Sequence, residues 1–293
     1  MVIVAWHACG VKAGVHSRGM IMAPTSRVRV VIPSVSDGTE IAGAKARSIA
    51  RAVCAESFGA SARVIKSDDR TTVLAGEAAG YPVVVKALAL DRAIDRIRSV
   101  VRRTRHWRQA RGAAAVASAG LRVCHTHAIV RGTDPSGHRV EALIIERVEG
   151  PTLLRLASER SVGSGDDREL LDRLGEDVGK LVRAGRFNRD HKPSNIIVET
   201  QPDGRPVPVL IDTSDIRRAR TNRSLDEMLA KLLIEATGTS VHVPTRDRVR
   251  IARAALRCSG QRREIRDVLA SVERIVDAHG DPTPRDDPLA FDA

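Results

Sequence analysis

The chain has 293 residues, 42% of them hydrophobic and 2% aromatic, and carries 48 basic against 36 acidic side chains for a net charge of +12. That length and apolar content exclude a disordered chain and suit one bilobal domain, or two small ones, with a core of Leu, Ile, Val and Ala. The positive field favours anionic partners without choosing among nucleotides, phosphorylated glycans, anionic lipid and nucleic acid; with no zinc finger or aromatic RNA-binding motif present, nucleic acid is the weaker reading.

In chain order, the stretch before Met20 and Met22 shows no clear periodicity; the true start is expected at one of these, or the first 55 residues form a loose extension. Met1 to Ala8 is apolar but too short for a signal peptide. Alternation begins near Ala62: Ala62 to Lys66, Thr71 to Ala75 and Pro82 to Leu88 read as strands, with Gly80 at the second turn. A helical stretch from Asp91 to Ala119, broken once, is stopped by Gly120. Short strands or turns follow at Leu121 to Val123 and Thr126 to Val130, then a strongly apolar strand from Val140 to Val148 that Gly150-Pro151 ends. Leu153 to Ala157 begins a helix and Ser161 to Asp166 is a polar loop. The clearest helix, Asp167 to Ala184, aligns Leu170, Leu171, Leu174, Val178, Leu181 and Val182 on one face and stops at Gly185. A hairpin of Ile196 to Val198 and Val207 to Ile211 precedes helices at Ser224 to Ala236, Arg246 to Cys258 and Arg262 to His279, and the Asp- and Pro-rich residues after 279 read as a disordered tail. The order is a β-rich lobe and then an α-rich lobe, with boundaries expected at 56–148 and 149–279.

Cys9, Cys54, Cys124 and Cys258 form no C-x-x-C pair, which fits a reducing cytoplasm rather than a disulfide framework. Cys124, His125 and His127 lack a fourth ligand for a metal. No apolar run is long enough to span a bilayer.

The loop Phe187-Asn188-Arg189-Asp190-His191-Lys192-Pro193-Ser194-Asn195 lies between a helix and the hairpin, and the second hairpin strand leads to Asp212. The pattern D-x-K-x-x-N followed by a strand ending in Asp resembles the kinase catalytic loop and its metal-binding acid. In that pattern Asp190 accepts or orients a substrate hydroxyl proton and Lys192 reaches the transferring phosphoryl group. Asn195 and Asp212 ligate Mg²⁺. Upstream, Val83-Val84-Val85-Lys86 puts a Lys on a strand, as for pairing with the α- and β-phosphates of ATP. The run Ala142 to Gly150 resembles the strand and hinge that join two lobes, with backbone groups from Glu146 to Val148 expected to bond adenine.

On these residues, together with Gly120-Leu121, Ile145-Glu146 with Gly150, Asn188 to Asn195, and Ile211-Asp212 with Ile216-Arg217-Arg218, the chain resembles the lipopolysaccharide core kinases, the Kdo and heptose kinases of the protein-kinase-like superfamily. The resemblance covers Ala62 to Ala236. It implies an α+β, bilobal protein-kinase-like fold, with a small β-rich N-lobe and a helical C-lobe. It also implies ATP and Mg²⁺, transfer to a sugar hydroxyl of a glycolipid or other small acceptor, and a cytoplasmic place at the inner membrane face. The chain departs from the pattern in several places. Ser67 to Thr72 replaces a Gly-rich loop, so backbone amides, Thr72 or Arg70 would cover the phosphates. The helix position expected to hold a Glu partner for Lys86 is Gln109, Asp212 is followed by Thr213-Ser214, and Asn188 stands where a His is usual. These differences leave a catalytically weak or silent binding module as the alternative. A Ser/Thr protein kinase is disfavoured because no Ala-Pro-Glu-like anchor follows Asp212. Eight arginines against two aspartates between Asp91 and Arg111 read either as a solvated face or as a contact for an anionic membrane or phosphorylated sugar.

Overall fold

Alternating burial along one strand and continuous burial along its neighbour organise the first half of the protein. The computed structural model describes residues 29–31, 40–54, 58, 61–134, 137–159, 167–219 and 223–283. The chain divides into two units, Met1–Arg111 with Cys124–Arg147, and Gly112–Val123 with Val148–Ala293.

The first unit is built on a six-stranded antiparallel sheet of order β1-β5-β6-β4-β3-β2: β1 (Arg29–Val31), β2 (Arg63–Ser67), β3 (Thr71–Ala78), β4 (Tyr81–Ala89), β5 (Thr126–Thr133) and β6 (Arg139–Glu146). In β4, Val83, Val85, Ala87 and Ala89 are buried while Lys86 is half-buried on the opposite face, as a period of two requires. Residues Val140 to Ile145 of β6 are all buried, so this central strand is covered on both faces. The face carrying Val83, Val85 and Ile144 packs with Ile49 and Ala50 of helix α1 (Glu40–Val53). Fully burying Ile49 stabilises this layer by roughly 2 kcal/mol. Contacts from α2 (Ala93–Val100) and α3 (Arg105–Ser118) reach Lys86 and Glu141 on the other face. The predicted break in the long helix falls at 101–104, where Arg102 takes a positive φ of 56°.

Two findings differ from the sequence reading. Strand β1 and helix α1 lie inside the stretch expected as a loose extension. The sequence hides them because β1 contributes three residues paired through the backbone to β5, and α1 buries small side chains, Ala46 and Ala50, beside Ile49. The unit boundaries also depart from 56–148 and 149–279, since one of them runs through α3. The segment Leu121 to Val123, read as a short strand or turn, contributes a single parallel bridge, Val123 to Leu210. The expected loop at 161–166 lies outside the described residues, as do residues 284–293 of the expected tail.

In the second unit, α4 (Leu153–Glu159) precedes α5 (Asp167–Arg183), and the closing helices are α6 (Arg223–Gly238), α7 (Thr245–Ser259) and α8 (Ile265–Asp277). Helices α5 and α7 touch through Gly175 and Gly179: an added Cβ would meet Ile251 O at 2.2 Å and Ala255 O at 2.4 Å, so only glycine permits this approach. Leu170, Leu174, Val178 and Leu181 join Leu225, Met228, Ile251 and Val268 in one core. Against it lies the hairpin β8 (Ile196–Thr200) and β9 (Pro206–Leu210), and a two-stranded pair of β7 (Arg186–Asn188) with β10 (Ile216–Arg218). Among the described residues Cys54, Cys124 and Cys258 form no disulfide, and no helix is long and apolar enough to cross a membrane.

Candidate active site

Hydrogen bonds hold the catalytic-type loop at three points. Asn188, 1% exposed at the end of β7, accepts the Asp190 N–H at 3.1 Å through its side-chain oxygen. The Arg189 N–H donates to the Asp215 carbonyl at 3.1 Å. Ser194 donates its N–H and its hydroxyl to the two Glu235 carboxylate oxygens, at 2.8 and 2.6 Å, which ties the short 3₁₀ turn Pro193–Asn195 to α6. Glu235 was not legible as a site residue, because a lone Glu on a helix carries no motif.

Within this frame the predicted residues meet. Lys192 Nζ is 3.1 Å from Asp190 Oδ1, and the Asn195 amide nitrogen donates at 3.1 Å both to Asp190 Oδ2 and to its backbone carbonyl. The Ile211 N–H donates to the Asn195 carbonyl at 3.1 Å, one rung beyond the Ile196–Leu210 pair, so Asp212 follows at the Asn195 end of the hairpin. Asp212 Oδ1 accepts the Ser214 N–H at 2.9 Å. With the Asn195 nitrogen committed to Asp190, its amide oxygen is the atom left for a cation. It and the Asp212 carboxylate are oxygen donors of the kind Mg²⁺ takes, and Asn195 and Asp212 would be the residues to hold it. In donor chemistry the two side chains suit the ion. Among the described residues no group of three or more His, Cys, Asp or Glu could hold a metal alone, the Cys124, His125 and His127 stretch included.

His191 is buried and held neutral, its pKa lowered to about 4 by burial against the opposing charge of Asp190. It packs the loop rather than titrating near neutrality. Directly after Asp212, Thr213 is buried against α3: a Cβ on Gly112 would lie 1.9 Å from the Thr213 carbonyl oxygen. Gly112 carries no local signal of this in the sequence, since a close backbone approach leaves none.

In the first unit Lys86 Nζ donates to Gln109 Oε1 at 3.3 Å, and Gln109 is 3% exposed. The partner reached by counting back from Gly120 is therefore the residue beside Lys86. Next to it is a polar cluster that the sequence reading missed. Glu141 is fully buried and accepts from Ser99 Oγ at 2.7 Å, Thr104 Oγ1 at 2.5 Å and Arg131 Nε at 3.0 Å, with His106 Nδ1 at 3.5 Å. These contacts anchor α2 and α3 to β5 and β6 and so carry Gln109 to Lys86.

The phosphate-covering residues fare differently. Arg70 pairs with Asp95, and Thr72 is buried with its hydroxyl 3.3 Å from Ser67 Oγ. Asp68 Oδ1 instead accepts the Arg70 and Thr71 N–H groups at 2.9 and 2.7 Å, closing the β2–β3 turn on itself. At the expected hinge, the Glu146 N–H donates to the His125 carbonyl at 2.8 Å and the Arg147 N–H to the Pro82 carbonyl at 3.1 Å. Glu146 also accepts the His125 N–H at 3.0 Å through its carboxylate. Two of the three N–H groups from Glu146 to Val148 are thus engaged within the protein.

No family model and no curated protein matches this sequence. In structure, a solved complex described as WaaP in complex with acyl carrier protein matches with a TM-score of 0.51 and 19% identity, over 85% of this chain and 98% of that one. The fold is kinase-like. The likeness agrees, at the level of fold, with the resemblance read from the motifs. In all, 1480 solved chains match in structure, and because a fold does not fix an activity, the activity must be argued from the side chains.

Proposed function

We propose that the protein is an ATP-dependent phosphotransferase, resembling the lipopolysaccharide core kinases, that transfers the γ-phosphoryl group of ATP to a sugar hydroxyl of a glycolipid or other small acceptor. The supporting observation is the Asp190–Lys192–Asn195 cluster, with Asp212 brought to its end of the hairpin by the Ile211 to Asn195 hydrogen bond. Asp190 orients the acceptor hydroxyl and takes its proton as the oxygen attacks the γ-phosphorus. The bond to the β,γ-bridging oxygen breaks and ADP leaves. Lys192 neutralises charge on the transferring group, Lys86 pairs with the α- and β-phosphates, and backbone groups of Glu146 to Val148 take adenine. Asn195 and Asp212 hold Mg²⁺, which when bound offsets the negative charge of the phosphates. Lipopolysaccharide biosynthesis in the cytoplasm, at the inner face of the membrane, is the setting this reading carries.

One observation favours a second reading. A neutral Gln109 stands where an ion-pair partner is expected, and Arg70 is committed to Asp95, which suits a kinase-fold module that binds without turning over. Thermal shift with ATP, with and without Mg²⁺, followed by phosphate transfer from labelled ATP to core-oligosaccharide acceptors, separates the two. Mg²⁺-dependent stabilisation with transfer supports the phosphotransferase. Stabilisation without transfer supports the silent module, and no nucleotide-dependent shift rejects both.

A further inference from the structure

Six large hydrophobic side chains stand exposed among the described residues, and four of them fall in one eight-residue stretch: Ile94, Ile97, Val100 and Val101, at 48, 58, 75 and 52% exposure. Their spacing puts them on one side of α2 and its C-terminal end. The opposite side carries Ser99, 3% exposed, whose hydroxyl donates to Glu141 and whose carbonyl accepts from Arg131. The helix is therefore fastened through one face and presents its apolar stripe outward. In the same stretch of chain Arg92, Arg96, Arg98, Arg102, Arg103, Arg105, Arg108 and Arg111 are all exposed, the first four on α2 or within two residues of its ends. Of the two acids in the same stretch, Asp95 is neutralised by Arg70.

We infer that this face of α2 is a docking surface for an anionic lipid bilayer. Isolated exposed hydrophobics are ordinary; a contiguous apolar stripe on a fastened helix is not. Water alone gives no reason for four aliphatic side chains to line up on it, and so many exposed guanidinium groups in the same stretch of chain would repel a basic partner. A bilayer of acidic lipid satisfies both halves. The aliphatic side chains enter below the headgroups, and the arginines, whose stems are apolar and whose heads are charged, stay at the phosphate level. The surface lies wholly within the first unit and uses none of the residues assigned to phosphotransfer, so it stands or falls independently of that reading.

The test is co-sedimentation of the full chain with vesicles of phosphatidylcholine, with and without phosphatidylglycerol, in the absence of nucleotide. The wild type is expected to bind the phosphatidylglycerol vesicles and to release as salt rises past the range where charges are screened over about 8 Å. Replacing Ile94, Ile97, Val100 and Val101 together by Asn should weaken binding at least tenfold. Arg98→Gln, Arg102→Gln and Arg105→Gln should each cost roughly fivefold. Both sets of side chains are exposed, so circular dichroism and the ATP-dependent thermal shift should not change. Three results would overturn the inference: equal binding to neutral and acidic vesicles, undiminished binding by the Asn variant, or a wild-type dimer in free solution that the Asn variant converts to monomer. The last result would make a second copy of the chain the occupant.

Discussion

Lys86 Nζ donates to Gln109 Oε1 at 3.3 Å, an amide where a carboxylate would complete an ion pair. Charge-assisted hydrogen bonds are about twice as strong as neutral ones. Gln109→Glu should therefore hold Lys86 more firmly and tighten Mg²⁺-ATP binding by up to about tenfold, roughly 1.4 kcal/mol. Gln109→Leu, which leaves the ammonium without this acceptor, should weaken it. Calorimetric titration of ATP checks both; weaker binding by the Glu variant would show that the pair does not position Lys86 for phosphate.

Asp212→Asn tests the cation assignment. The amide can still accept the Ser214 N–H through its oxygen, so the local turn should survive. What is lost is a negative charge on a hard divalent ion. Turnover should fall by two or more powers of ten, the loss expected of a principal electrostatic contributor, while the unfolding midpoint without nucleotide stays within a degree or two. Turnover near wild type would remove Asp212 from the metal site.

Gly112→Ala probes the contact behind Asp212. A Cβ placed 1.9 Å from the Thr213 carbonyl oxygen cannot be accommodated without moving backbone, because both sides of the contact are main chain. Overpacking of this kind costs about 1–3 kcal/mol. The residue displaced adjoins Asp212, so turnover should fall more than the loss of stability explains, measured well below the variant's melting temperature. An equally active variant would mean that Thr213 can shift without carrying Asp212 along.

Stability should fall with acid. Burial, reinforced by the charges of His125 and Lys45 and opposed by Glu146, lowers His127 to about 4. His191 is likewise at about 4, and burial also lowers His106, against the opposing pull of Glu141. Each is neutral in the folded protein and protonates near 6.5 when unfolded. The stability they contribute is complete above pH 6.5 and drains as pH falls through 6.5 toward the folded values, at about 1.4 kcal/mol per unit per group. Glu141 acts in the same sense at lower pH: burial raises it, but contacts from His106, Thr104 and Ser99 outweigh that and hold it at about 2. Its contribution is present above its ordinary value near 4.5 and is lost as pH falls toward 2. The urea midpoint should therefore drop clearly between pH 7.5 and 5, and His127→Leu should flatten the slope. A midpoint that stays level over that range would count against the buried neutral state.

Much of the site was legible because its chemistry lies in short spacings. Asp190, Lys192 and Asn195 sit within six residues, and the hairpin that brings Asp212 beside them announces itself through alternating strands and a Gln201 to Arg205 turn. Lys86 was legible from strand periodicity and Gln109 from counting along one helix. Arg70 and Thr72 were assigned by their place between strands. That reading could not see that Asp95, 25 residues on, claims the guanidinium.

The sequence by itself determined the order of elements, the turns with positive φ at Gly80, Gly120 and Gly185, and the residues of the catalytic-type loop, because each depends on neighbours along the chain. Only the tertiary structure decided which distant groups meet. Glu141 gathers Ser99, Thr104 and Arg131 from across the sheet; Glu235 clasps Ser194 from a later helix. Gly112 lets Thr213 come into backbone contact, and β1 with α1 completes the first unit from a stretch expected as a loose extension. Such contacts depend on where elements pack, and a buried carboxylate or a close backbone approach is encoded by the shape around it rather than by its neighbours in sequence.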